Sequence, residues 1–243
     1  MPIADPPWRP YCGAGPTPGE LWSRWNFDPL LLLTLAVLGA LLLTAGRERR
    51  GLALLAMAVL VLTFVSPLCA LSSALFAART VHHILIVAVA APLIAWALPR
   101  AARPPALAAA TTIFIAVFWG WHIPAAYGWA LSHDLGYAVM QTSLLLSATL
   151  AWRALRAAPA PAAVASLLAT MVPMGLLGAV LTFIPRALYA PHALTTAAWG
   201  LTPLADQQMA GLIMWVPAAA IYLAFALSIL ARALRPPPLA RPA

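Results

Sequence analysis

The sequence predicts an all-α integral membrane protein of seven transmembrane helices, and three observations carry that prediction. Of its 243 residues, 63% are hydrophobic and only 8% are charged, against roughly 25% charged in an average soluble domain. Mean hydropathy is +0.90. The apolar residues fall into long stretches, each near the roughly 20 residues needed to cross the hydrocarbon of a bilayer. No soluble fold of this size could hide so much apolar surface, so the bilayer itself must act as the solvent.

Taken in order, the first stretch runs from Pro29 to Ala45 and stops at Arg47, Glu48, Arg49 and Arg50. The second runs from Gly51 to Leu71. The third, Arg79 to Leu98, ends before Arg100 and Arg103, and the fourth covers Pro105 to Trp121. The fifth spans Leu135 to Trp152, with Arg153 and Arg156 behind it. The sixth is Pro161 to Ile184. The seventh, Asp206 to Leu230, is followed by Arg232 and Arg235. Residues 29–231 thus form one seven-helix domain. Residues 1–28 hold Pro, Gly, Trp and charges without an apolar core, which predicts an irregular outer segment rather than a cleavable signal peptide. Residues 232–243 carry a Pro-Pro-Pro run and are expected to be a disordered cytoplasmic tail. No internal repeat supports an inverted-repeat transporter.

Orientation follows from the basic residues, all fourteen of which are arginine. With the amino terminus outside, ten arginines lie on the cytoplasmic side and Arg9, Arg24, Arg79 and Arg186 on the other. The opposite orientation reverses that bias, so the amino terminus is expected outside and the carboxyl terminus in the cytoplasm. The net charge of +8 is distributed as topology signals between apolar runs and not as a phosphate-binding stripe, so no nucleic-acid partner is expected. Cys12 and Cys69 would both lie outside. A disulfide between them is possible, but two residues do not establish one.

Given this orientation, the polar chemistry gathers at the outer face. His82 and His83 open the third helix, His122 closes the fourth within Phe118-Trp-Gly-Trp-His-Ile-Pro124, and His133 and Asp134 precede the fifth. His192 lies in the loop after the sixth, and Asp206, Gln207, Gln208 and Met209 open the seventh. Imidazole with a carboxylate and a nearby thioether suits copper or another late transition metal. The candidate metal ligands are therefore His82, His83, His122, Asp206 and Met209. The competing reading is that these groups hydrogen-bond to neighbouring helices or headgroups, with Met209 as packing filler. Arg79, one turn before His82 and His83, could pair with Asp206. Trp119, Trp121, Trp129 and Trp199 are expected in the outer aromatic belt. Pro67, Pro92, Pro173 and Pro217 fall within spans and read as kinks.

Several segments together resemble a known family. They are Trp25-Asn-Phe-Asp-Pro29, Ser66-Pro-Leu68, Val81-His-His-Ile through Ala91-Pro-Leu93, Trp121-His-Ile-Pro124 and Asp206-Gln-Gln-Met-Ala-Gly-Leu-Ile-Met-Trp-Val-Pro217. They run in the order found in the polytopic CtaG-type cytochrome c oxidase assembly proteins of bacteria. The resemblance implies an assembly factor for haem–copper oxidase and not an enzyme. It implies a multi-pass protein of the bacterial cytoplasmic (inner) membrane that binds or delivers copper at the outer face. The implied partners are oxidase subunits and periplasmic copper chaperones. By the same resemblance His83, His122 and Asp206 take the positions of the family's third-helix histidine, Trp-His-x-Pro histidine and seventh-helix aspartate. Two positions depart from the pattern: Arg79 and Gln141 stand where many relatives have histidine.

Two other functions remain open on the sequence. A copper or cation transporter should carry coordinating groups through the membrane depth, whereas here they cluster at one end. A haem-binding redox protein would use axial histidines such as His83 and His122. A retinal protein is excluded, because its Schiff base requires lysine and the chain has none. No hydrolase, phosphate-loop or zinc-protease motif stands out.

Overall fold

The computed structural model describes Trp8 and residues 10–235. The predicted tail beyond Arg235, with Arg241, lies outside the described residues, as does Arg9. Nine helices and no strands make up the described chain: α1 (Pro29–Ala45), α2 (Arg50–Phe64), α3 (Pro67–Ala74), α4 (Phe76–Ala97), α5 (Leu107–Trp121), α6 (Pro124–Ala130), α7 (Asp134–Ala157), α8 (Ala160–Phe183) and α9 (Pro203–Ala233). Three of the starts follow one local rule. Asp28, Ser66 and Thr202 each precede a proline and accept a backbone N–H from the first turn, Leu31, Leu68 and Ala205 respectively. A short oxygen side chain at the cap satisfies an orphan donor, and proline at the next position loses nothing because its N–H would be unpaired there.

All seven apolar stretches fall on helices, but not all of those helices are long. Among the described residues only α4, α8 and α9 are long and apolar enough by themselves to cross a bilayer. Two bent pairs raise the number to five if each is one span: α1 with Arg47–Phe64, at 99°, and α5 with α6, at 78°. The predicted second stretch is divided where Ser66 caps a new helix at Pro67, so α2 holds only 15 residues and α3 8. α7 has the length, 24 residues, yet carries Asp134, Gln141, Arg153 and Arg156.

α4 is the central helix. It packs on α2 and α3 on one side and on α7 and α9 on the others. Its middle widens into a π-helical stretch, Leu85–Ala90, just before Pro92. In that register the missing N–H of Pro92 would have met the carbonyl of Val87. The indole of Trp152 donates to that carbonyl instead, at 2.8 Å. A second π stretch, Met214–Ala218, contains Pro217 of α9.

The amino-terminal segment has only a single 3-10 turn, Leu21–Ser23, among its described residues. It is nevertheless held firmly over one end of the bundle. A disulfide joins Cys12 to Cys69 of α3, so the pairing that the sequence left open is made. Tyr11 stacks on Tyr137 of α7 at 5.0 Å, the Trp199 indole donates to Pro16 O at 2.9 Å, and the Asn26 backbone N–H donates to Val65 O at 2.9 Å. Burial, with Asp28 nearby, pushes the Tyr11 phenol up to about 12.

Candidate functional site

Beneath that segment lies a layer of buried polar and aromatic side chains. α4 supplies Arg79, His82 and His83, α5 ends in His122, and α7 adds Tyr137 and Gln141. The three histidines that the sequence grouped are brought together. His82 and His83 have ring centroids 5.9 Å apart, and His83 and His122 6.1 Å apart. All three are buried. His122 Nδ1 lies 2.7 Å from Phe118 O, which makes Nδ1 the protonated nitrogen and leaves the lone pair on Nε2. Neither nitrogen of His82 or His83 has a hydrogen-bond partner among the described residues, nor does either amide atom of Gln141.

Asp206 reaches the same layer with a defined structural task. α4 begins at Phe76 without a side-chain cap of its own. Asp206, on α9, accepts the N–H of Phe76 at 2.6 Å and of Ala77 at 3.1 Å. It therefore caps the histidine-bearing helix from another helix, with negative charge at the positive end of the helix dipole. Gln207 works beside it, accepting from Leu188 N–H at 2.6 Å and donating to Arg186 O at 3.1 Å. Met209, by contrast, is exposed on α9, while the histidines are buried. His133 is exposed as well.

Two residues take places that sequence reasoning did not foresee. Arg79 does not pair with Asp206, whose two oxygens face the start of α4. Its guanidinium is buried with no hydrogen-bond partner among the described residues, and its carbon sits 5.4 Å from the centre of the Tyr137 ring. His192, a lone loop histidine in the sequence, is folded in. Its Nε2 lies 2.7 Å from the Tyr127 hydroxyl, and burial, with Arg79 adding to it, pushes the imidazole down to about 3. Phe76 is the hub that ties these groups together, stacked on Tyr189 at 4.0 Å and edge-on to Tyr127 at 5.4 Å. Tyr189 in turn donates to His122 O at 2.8 Å. Nothing in the local sequence around His192 signals this, because its partner is 65 residues away.

Chemically, the layer sets buried imidazoles beside a buried guanidinium. Among the described residues no group of three or more His, Cys, Asp or Glu side chains is arranged to hold a metal ion. The His83 and His122 rings lie nearly perpendicular, at 81°, with centroids 6.1 Å apart. Two imidazoles sharing one ion through bonds of about 2 Å would have centroids about 6 Å apart. Arg79 works against any cation there, and more against a doubly charged one than a singly charged one.

A family model described as cytochrome c oxidase caa3 assembly factor matches residues 37–236. No curated protein and no solved structure matches the chain.

Proposed function

The chain belongs to the cytochrome c oxidase caa3 assembly factor family, and from that premise we propose that it binds Cu(I) between His83 and His122 and passes it to the oxidase during assembly. The observation that carries the copper reading is the approach of those two rings to 6.1 Å in a buried layer. His82 is the adjacent third imidazole. Soft, singly charged Cu(I) accepts two neutral nitrogen donors and suffers less from Arg79 than Cu(II) does. Asp206 acts through α4, holding the helix that bears His82 and His83, and Met209 lies outside the buried layer. Copper here is cargo, and its donors and acceptors are periplasmic copper chaperones and oxidase subunits.

The membrane arrangement belongs to the same proposal. The protein resides in the bacterial inner membrane with seven crossings, the amino terminus and the histidine layer outside, and the arginine-rich loops in the cytoplasm. The ten-to-four arginine bias supports this orientation. So does the Cys12–Cys69 disulfide, a bond that persists in the periplasm and rarely in the cytosol.

Cu(I) competition binding on purified protein tests the assignment. His83→Ala and His122→Ala should each lower affinity at least tenfold, whereas Asp206→Asn should retain copper while lowering thermal stability. Unchanged binding in both histidine variants would reject the ligand pair. In cells, deletion of the gene should lower oxidase activity and the copper content of isolated membranes, and normal values for both would reject the assembly role.

A further inference from the structure

At the far end of α4, about 20 Å along the helix from His83 at 1.5 Å per residue, arginines converge on a recess of about 340 Å³. Arg47 and Arg49 reach it from the turn after α1, Arg100 from the segment after α4, and Arg156 from α7. An adjoining smaller hollow shares Arg100 and Arg156 and adds Arg153. Glu48 is the only acidic residue lining either one among the described residues. Five arginines against one carboxylate leave a strongly positive concavity.

Three of these arginines are fixed in place by the end of α4. Arg156 donates to Ala95 O at 2.7 Å and Leu98 O at 2.9 Å, Arg49 to Trp96 O at 3.0 Å, and Arg153 to Pro99 O at 3.2 Å. These bonds satisfy carbonyls that a helix terminus leaves without partners, and they place positive charge at the negative end of the dipole. They also immobilise guanidinium groups whose remaining N–H donors can serve an oxyanion, so little ordering is required when one arrives. Leu41 of α1 and Leu54 and Leu55 of α2, each more than half exposed, lie within two turns of the recess.

We propose that this recess binds the phosphate of an anionic phospholipid headgroup, with the acyl chains lying along the exposed leucines of α1 and α2. The charge selects an anionic over a zwitterionic lipid. Guanidinium forks match phosphate oxygens, and the bordering apolar surface favours a lipid over a soluble phosphate. The inference is independent of copper and of the histidine layer.

Purified protein in nanodiscs of phosphatidylcholine, alone or mixed with phosphatidylglycerol, provides the test, read by native mass spectrometry of retained lipid and by thermal midpoint. Arg47→Gln with Arg100→Gln is the informative variant, since neither side chain makes a hydrogen bond among the described residues. It should retain phosphatidylglycerol about tenfold less well and lose the stabilisation that this lipid confers. Arg232→Gln with Arg235→Gln, at the end of α9 and outside the recess, should behave as the parent protein. Equal retention by the Arg47/Arg100 variant would overturn the site, and an equal loss in the control pair would reduce it to unspecific surface charge. Displacement of the lipid by inorganic phosphate alone would overturn the lipid assignment.

Discussion

Arg79 and His83 stand four residues apart on α4, a spacing that places their Cβ atoms about 5–6 Å apart on one helix face. At an effective dielectric constant of about 20, two unit charges roughly 6 Å apart repel by about 3 kcal/mol. On the copper reading, Arg79 therefore weakens the site and keeps its cargo releasable. Arg79→Gln should tighten Cu(I) binding tenfold or more in a competition assay, and unchanged affinity would mean that the ion sits elsewhere. His192 supports a second expectation. Its imidazole titrates near 3 in the folded protein against about 6.5 in an unfolded chain. Well above pH 6.5 neither state takes up the proton. Between about 6.5 and 3 only the unfolded state does, so folding stability falls with falling pH by roughly 1.4 kcal/mol per pH unit from this group. His192→Gln should flatten the fall in thermal midpoint over that window, and a parallel profile for the variant would contradict it.

At the scale of the elements, α8 and α9 meet backbone to backbone at two glycines. A Cβ added to Gly211 would come within 2.6 Å of Gly178 O and 2.8 Å of Thr182 N, and one added to Gly178 within 2.9 Å of Gly211 O. Small residues that let backbones touch are the usual device of helix contacts in membranes. Gly211→Ala should lower stability by about 1–3 kcal/mol, the range for overpacking. Gly120→Ala, which meets nothing within 4 Å, should leave stability unchanged or raise it slightly. Equal effects in the two variants, measured by thermal denaturation in detergent, would show that α8 and α9 do not touch at their glycines. The contrast also shows what hydropathy could disclose. All seven apolar runs mark helices because run length is a local property. The break at Ser66-Pro67 is visible too, once Ser-Pro is read as a helix start. The π stretches before Pro92 and at Pro217, and the close approach of Gly178 to Gly211, depend on which helices neighbour one another. The same holds for the site. His82, His83 and His122 were legible as polar chemistry at the ends of apolar helices. The capping role of Asp206, which acts across about 130 residues of chain, was not, and neither was the capture of His192 by Tyr127.

The whole molecule is polarised between its ends. A disulfide-held segment and a histidine layer occupy one end, and an arginine-lined recess the other. If α4 runs from outside to inside, both the arginine bias and the disulfide find the compartments they require. The total lack of lysine makes this directly measurable, because the chain carries no side-chain amine of its own. Gly19→Lys adds one in the amino-terminal segment at a position with open space around it. Leu234→Lys adds one just past the end of α9, where Leu234 is exposed. In intact cells a membrane-impermeant amine reagent should modify position 19 of the first variant, while position 234 of the second should react only after permeabilisation, with peptide mass spectrometry assigning each adduct. An odd number of crossings places the two positions on opposite sides, and an even number places them on the same side. Labelling of both in intact cells would therefore reject seven spans, and labelling of 234 alone would invert the molecule. In that inverted case the histidine layer would face the cytoplasm, away from any periplasmic source of copper, and the delivery proposal would fall together with the topology.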